Sequence, residues 1–176
     1  SDIRIYNPTS TRVTANVSFY KQGVNPVAVT KQVTIEPQEI ETLDGVLRGF
    51  FNQSNVGGSV HVSTANDTSL VVTARTYDQR TSGTYGQFIP GVTPVEAIGL
   101  NDRPINLLQI EQSVRFRSNL GLAETSGASV TLEITGLVPE STVTPKKLVT
   151  LTPYEFTQIG SIIKNLNLPD TTNGRI

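Results

Sequence analysis

Apolar and polar residues alternate along several short stretches of this chain. In the clearest of them, Val13, Ala15, Val17 and Phe19 are separated by single polar residues. The stretches 27–35 and 128–134 carry similar patterns, and turn-forming Asn-Pro pairs and glycines lie between the stretches. A period of two places every second side chain on the same face of a β-strand. The pattern therefore predicts an all-β fold of short strands packed as β-sandwiches.

A different spacing occurs once in each half of the chain. Its apolar residues stand at i, i+3, i+4 and i+7, which is one face of a short helix. The first set is Leu43, Val46, Leu47 and Phe50, and the second set is Ile159, Ile162, Ile163 and Leu166. We expect one short helical turn in each half, with these side chains pointing into the core.

The two halves are related by an internal repeat. At an offset of 116 residues, 35–60 matches 151–176 with three identities, Pro37/Pro153, Glu39/Glu155 and Gly58/Gly174. Upstream, an offset of 113 aligns Ala15, Val17, Phe19 and Gly23 with Ala128, Val130, Leu132 and Gly136, and Ile3 is matched with Val114. This alignment makes the turn at 137–145 longer than its counterpart. The recurring order of strand, turn, strand, helix and glycine predicts a duplicated unit.

The repeat divides the chain into two predicted domains, residues 1–80 and 105–176. In the first domain, 59–64 and 69–77 are predicted to form a hairpin. Residues 81–104 contain several prolines and glycines and are predicted to be an extended connector. The second domain is expected to open with a strand at 105–110.

The second domain is expected to be incomplete at its C-terminus. Ile176 is the partner of Val60, so the second copy lacks the equivalents of 61–77. A sandwich without these strands would have open edges with unpaired backbone groups. Two explanations remain: further residues of a longer polypeptide complete the second copy, or another chain inserts a strand there.

Three strings of residues carry a resemblance to a known class of repeat. They are 75–78 (Arg-Thr-Tyr-Asp), 83–91 (Gly-Thr-Tyr-Gly-Gln-Phe-Ile-Pro-Gly) and 116–122 (Phe-Arg-Ser-Asn-Leu-Gly-Leu). With these strings the chain resembles the tandem immunoglobulin-like repeats of large secreted or surface-anchored bacterial proteins. The resemblance implies two tandem immunoglobulin-like β-sandwich domains that act as spacers, parts of adhesins or assembly units.

Composition excludes several classes of function. Charged residues make up 16% of the chain and the net charge is −1, so no basic field is present and nucleic acid is not an expected partner. No apolar run is long enough for a membrane-spanning helix. The chain has no cysteine and one histidine, which excludes thiolate chemistry and His-rich or Cys-rich metal sites. We expect no cofactor and no catalytic activity.

Few residues are candidates for chemistry. His61 lies between Val60 and Val62 in a predicted strand, without the strained elbow typical of a serine nucleophile. Asn66-Asp67 and Asp102 could offer oxygen ligands to calcium, but turn formation explains them equally well. We therefore predict no catalytic and no metal site.

Other motifs suggest binding rather than catalysis. Tyr77, Tyr85 and Phe88 could form a platform for sugar rings, or could pack the connector against its domain. Asn7-Pro8, Gly57-Gly58 and Arg103-Pro104 occur in an order similar to that of immunoglobulin-like cysteine-protease inhibitors, although their spacings are longer.

The predicted function is that of a non-enzymatic structural or assembly module. It would act outside the cell or on a bacterial cell surface as a spacer, part of an adhesin, or a subunit of a surface layer or filament. Its partners would be copies of itself or further repeats of the same polypeptide. The residues expected at partner or connector contacts are Tyr77, Tyr85, Phe88, Arg175 and Ile176. The alternative is a binding module that recognises a glycan or a protein through loops at one end of the sandwich.

Overall fold

A computed structural model describes residues 1–176 as an all-β chain with several antiparallel sheets, which confirms the predicted class. The strands are β1 (Asp2–Tyr6), β2 (Val13–Lys21), β3 (Ala28–Ile35), β4 (Ile40–Leu43), β5 (Gly58–Thr64), β6 (Val71–Arg80), β7 (Gly83–Pro90), β8 (Ile110–Gln112), β9 (Leu120–Ala123), β10 (Val130–Thr135), β11 (Lys146–Leu151), β12 (Phe156–Ile159) and β13 (Thr171–Gly174). Helical structure comprises a π-helix (Val46–Phe50), a 3-10 helix (Pro94–Glu96) and α1 (Ile162–Asn165). None of these helices has the length and apolar character needed to cross a membrane.

The backbone divides into two compact units. The first unit comprises Ser1–Lys21 and Val27–Thr93, and the second comprises Gln22–Pro26 and Pro94–Ile176. The first unit thus includes residues that the sequence assigned to an extended connector. Gly83–Pro90 forms strand β7, which pairs with β6 along its whole length. The tight turn at 81–82, with Gly83 at φ 137°, reverses the chain there and makes this pairing possible.

The first unit contains two antiparallel sheets. One has the strand order β4-β1-β6-β7 and the other the order β3-β2-β5. Side chains from both sheets form one hydrophobic cluster. The alternation along β2 is confirmed, because its apolar side chains Val13, Ala15, Val17 and Phe19 are at most 7% exposed. Strands β1 and β2, which both contribute side chains to this core, are inner strands of their sheets.

The hairpin predicted from 59–64 and 69–77 is wrong. Strand β5 pairs with β2, whereas β6 pairs with β1, so the two segments belong to different sheets. Strand β1 pairs with β4 on one edge and with β6 on the other, and β2 pairs with β3 and β5 in the same way. Residues 65–70 connect β5 in one sheet with β6 in the other. Both β5 and β6 can then turn apolar side chains toward the shared core.

The second unit consists of three strand pairs, β10-β11, β12-β9 and β13-β8. Its core contains Ile134, Val138, Ile162, Ile163, Leu166 and Leu168. The first strand lies at Ile110–Gln112 rather than at 105–110, so that prediction is wrong. Leu107, in the predicted segment, instead exchanges two backbone hydrogen bonds of 2.8 and 3.0 Å with Ile176. These bonds hold the segment beside the last residue without extending it into a strand.

The predicted inward face of both helical turns is confirmed. Five of the eight side chains are buried, and Leu47, Phe50 and Ile159 are half-buried against the cores. The spacing rule nevertheless missed Phe51, which is 2% exposed. The N–H of Phe51 donates to the carbonyl five residues back, at Val46, whereas the N–H of Leu166 donates to the carbonyl four residues back, at Ile162. The first unit therefore holds one extra residue, accommodated as a π-helix.

Strand pairing corrects the upstream alignment of the repeat. The repeat matches Leu43 with Ile159. Because Ile3 pairs with Leu43 and Leu120 pairs with Ile159, Leu120 is the counterpart of Ile3, at an offset of 117. Val114, matched with Ile3 from the sequence, is 99% exposed.

The same offset applies to β2 and β10. Val13 pairs with Ile35 and Val130 pairs with Leu151, so Val130 corresponds to Val13 rather than to Val17. The turn at 137–145 is consequently one residue shorter than its counterpart, not longer. Gly136 takes the position of Phe19, and a side chain there would overlap Leu166 and Leu168 at 2.7 Å. In the first unit the ring of Phe19 instead packs against that of Phe51, with centroids 5.6 Å apart.

Candidate functional site

A buried polar side chain ties together two turns in the first unit. Asn7 is fully buried, and its amide nitrogen donates to the carbonyls of Thr11, Ile35 and Glu36 at 2.8–3.1 Å. Its amide oxygen accepts from the N–H of Thr9 at 3.0 Å. The turn after β1 is thereby joined to the turn after β3. This burial also argues against a protease-inhibitor motif at Asn7-Pro8, since Asn7 is not accessible.

Glu124 occupies the corresponding position in the second unit. Its carboxylate accepts hydrogen bonds from the hydroxyl and N–H of Ser126 and from the N–H groups of Gly127 and Tyr154. Burial alone would raise the pKa of Glu124, but these hydrogen bonds outweigh it and lower the pKa to about 2. The group is therefore an anion that joins the two turns. Its role is structural rather than that of a general acid.

The two units differ in how their inner strands are covered. In the first unit β1 lies between β4 and β6, and β2 lies between β3 and β5. In the second unit β9 pairs only with β12, and β10 pairs only with β11. One edge of β9 and one edge of β10 therefore have no strand beside them. We call these two edges the open edges.

Side-chain burial follows the same difference. Ile3, Ile5, Val13 and Ala15 are 0–7% exposed in the first unit. Their counterparts in the second unit, Leu120, Leu122, Val130 and Leu132, are only half-buried. The open edges thus leave both backbone groups and inward apolar side chains partly uncovered, which is the arrangement that favours strand addition.

Arg175 and Ile176, two of the predicted contact residues, lie next to an open edge. The N–H of Arg175 donates to the carbonyl of Leu137 at 2.8 Å, and the N–H of Leu137 donates back at 2.9 Å. Leu137 corresponds to Tyr20, which pairs with Ser59 in the first unit. Arg175 therefore stands where β5 begins to pair with β2, and the matching of Gly174 with Gly58 is consistent with this pairing.

The aromatic residues predicted as a sugar platform do not share one face. Tyr77 lies opposite Gly86, Phe88 opposite Arg75, and Tyr85 opposite Asp78. Alternation puts Tyr77 and Phe88 on one face of the sheet and Tyr85 on the other. Arg75 stacks on the Tyr77 ring at 4.8 Å. Nor do the rings pack a connector, because Tyr85 and Phe88 belong to β7 and are 65% and 63% exposed.

His61 lies on the outer face of the sheet that contains β5. Its ring packs against Tyr20 with centroids 4.7 Å apart, and its Nε2 is 3.4 Å from the hydroxyl of Ser59. A Ser–His pair at this distance is a long hydrogen bond between neighbours on one strand face. The geometry is that of a surface packing contact.

The acidic turn residues have structural roles. Asp67 adopts φ 49° in the turn after β5. The carboxylate of Asp102 accepts from the N–H of Gly99 at 2.6 Å and closes a turn. No three His, Asp or Glu side chains converge in a way that could hold a metal ion.

Comparisons with models of protein families, with curated proteins and with solved structures found nothing similar to this chain. The likeness to bacterial immunoglobulin-like repeats therefore stays a prediction carried by three sequence strings. Sequence reasoning missed Asn7 and Glu124 as counterparts, because their residue types differ. The shared signal was a hydroxyl residue two positions later, Thr9 and Ser126.

Proposed function

We propose that this chain is a non-enzymatic structural module that carries tension between its ends as a spacer in a larger extracellular or cell-surface assembly. The observation that carries the proposal is the direction of the strands in the first unit. Strand β6 is antiparallel to both β1 and β7, so β1 and β7 run the same way. The chain enters this sheet at the start of β1 and leaves it at the end of β7.

This arrangement loads the sheet in shear. Pulling on both ends draws β1 toward its N-terminus and β7 toward its C-terminus, along the strand axes. Hydrogen bonds between antiparallel strands lie perpendicular to the strands. The load is therefore shared by all the bonds of a strand pair at once, and no bond at the end of a pair opens first. Eight residue pairs join β6 to β7, and β1 is held on both sides.

The layered architecture supports the same proposal. Sheets of four and three antiparallel strands over one core are the composition of a constant-type immunoglobulin sandwich. The order in which the chain visits the two sheets differs from that fold, so the likeness lies in the layers and not in the connections. The repeated pairings of the second unit support a tandem arrangement of related sandwich units. The extracellular bacterial setting is supported by the sequence resemblance.

Single-molecule force spectroscopy tests the proposal. The chain has no cysteine, so Ser1→Cys with Thr93→Cys gives two unique attachment points across the first unit. We expect one cooperative unfolding event that lengthens the chain by about 30 nm, as about 90 residues at 3.3–3.6 Å each require.

A second attachment pair provides the matched control. Ser1→Cys with Gln79→Cys pulls β1 away from β6 at one end, so that the bonds open one after another. We expect a markedly lower unfolding force in this geometry. Equal forces in the two geometries would overturn the tension-bearing function. Recognition of a glycan or a protein through loops at one end of the sandwich stays a prediction.

A further inference from the structure

We propose that the open edges of β9 and β10 form an acceptor site for a strand–turn–strand polypeptide segment with the alternating apolar pattern of residues 61–77. The site would bind one strand antiparallel to β10 and one antiparallel to β9. This inference does not depend on the tension-bearing function. It rests on the pairing and burial of the second unit and on the internal repeat that relates this unit to the first.

The first unit shows what covers the equivalent edges. Strand β5 lies along β2, and β6 lies along β1, with Val60, Val62, Val72 and Ala74 packed against the shared core. The short link at 65–70 lets one continuous segment reach both sheets. A strand–turn–strand segment like β5 and β6 therefore fits the open edges of β10 and β9, which correspond to the edges of β2 and β1. The occupant follows from the internal repeat, because β5 and β6 are themselves seated on the equivalent edges of the first unit.

The other free edges of the second unit need no such partner. Strands β11 and β12 correspond to β3 and β4, which are edge strands in the first unit as well. Lys146 and Lys147 begin β11, and lysine at an edge discourages pairing with other strands. Strand β9 reads Leu-Gly-Leu-Ala and carries no charged residue. The edge of β9 that lacks such protection thus corresponds to the edge of β1 that β6 covers in the first unit.

The repeat also fixes the register of the occupant. Val72 and Ala74 pair with Ile5 and Ile3, whose counterparts are Leu122 and Leu120. Residues of the incoming strand at these positions must be apolar, since they face half-buried leucines. Thr73 lies between them and points to the opposite face. The position of Val72 in the segment therefore requires an apolar residue, whereas the position of Thr73 accepts a polar one.

The first test adds a synthetic peptide to the full chain. The probe is a peptide with the sequence of His61–Asp78. We expect saturable binding at concentrations up to about 1 mM, with NMR shift changes in β9 and β10. A Val72→Asp peptide should lose this binding, because its carboxylate would face Leu122. A Thr73→Asp peptide should keep it, because its carboxylate would face solvent.

The second test links the segment covalently. A chain extended after Ile176 by residues 61–78 supplies the strands without the entropic cost of association. We expect the backbone amides of β9 and β10 to exchange at least about tenfold more slowly than in the unextended chain. Slower exchange supports the proposal even where the free peptide fails to bind. Unchanged exchange in the extended chain, or peptide-induced changes confined to β1 and β2, would overturn it.

Discussion

Protonation of Glu124 should destabilise the second unit in acid, and Glu124→Gln should remove most of this sensitivity. The side chain is 5% exposed, and its two oxygens accept four hydrogen bonds. A protonated carboxyl group would lose acceptor capacity and would bring a donor close to N–H groups. The stabilising species is therefore the ionised carboxylate.

The size of the effect follows from the pKa. The folded-state pKa of Glu124 is about 2, against a usual value of 4.5. A group with a lowered folded-state pKa stabilises the fold above its unfolded-state pKa and loses that contribution as the pH falls. A difference of about 2.5 units at 1.36 kcal/mol each gives about 3 kcal/mol. We expect this amount to be lost progressively between about pH 5 and pH 2.

Residue-resolved NMR during urea unfolding measures the free energy of each unit separately. Asp2 also has a lowered pKa, chiefly through the N–H of Gly45, so the first unit has an acid response of its own. The decisive quantity is therefore the difference in unfolding free energy between wild type and Glu124→Gln for the second unit. At neutral pH the variant should be less stable, because its amide group faces N–H donors. The difference should shrink toward pH 2.

Two results would refute this reasoning. One is a difference between the two chains that stays constant from pH 6 to about pH 2. The other is a carboxyl carbon of Glu124 whose chemical shift titrates near its usual pKa of 4.5. The first unit is the internal reference for this comparison, because it has Asn7 at the corresponding position and its own acid response is common to the two chains.

Two further substitution pairs test the packing. Phe51→Ala should destabilise the first unit by about 3–5 kcal/mol. Phe50→Ala should destabilise it by less, because Phe51 is fully buried and Phe50 is only half-buried. Equal losses of stability in thermal unfolding would contradict the π-helix. Gly58→Ala should cost at least about 1–3 kcal/mol, because the new methyl group would lie 2.1 Å from the carbonyl oxygen of Tyr20. Gly160→Ala is its control, since the nearest atom is 3.9 Å away; similar melting temperatures for the two variants would contradict the close approach of the strands at Gly58.

Alternation predicts the strands and their buried faces but not their register. Shifting β10 against β2 by four residues, from an offset of 117 to 113, keeps every side chain on its original face. The alternation of apolar and polar residues therefore does not reveal a register shift of four residues. Only the pairing of Val130 with Leu151 shows the correct counterpart. Phe19, the bulkiest inward residue of β2, corresponds to Gly136, so no bulky side chain in the second unit identifies the correct register.

The local sequence also does not show that β5 and β6 belong to different sheets. The segments that form β5 and β6 are adjacent, alternating and separated by a turn, which is the pattern of a hairpin. Their separation into two sheets depends on β1 and β2 offering free edges, which is a long-range property. The pairing of β9 with β12 alone and of β10 with β11 alone is a long-range property of the same kind, which the alternation of apolar residues does not reveal.

The exchange of Asn7 for Glu124 has a consequence for chains built from many similar units. Neighbouring repeats with related sequences are prone to misassemble by trading strands during folding. Asn7 reaches the turn after β3 by donating to the carbonyl of Ile35, whereas Glu124 reaches the turn after β11 by accepting from the N–H of Tyr154. A β1 strand placed in the second unit, or β9 in the first, would leave buried polar groups without partners, at a cost of about 1–3 kcal/mol each. The opposite polarity of these hydrogen bonds between turns thus disfavours an exchange of β1 and β9 between the two units.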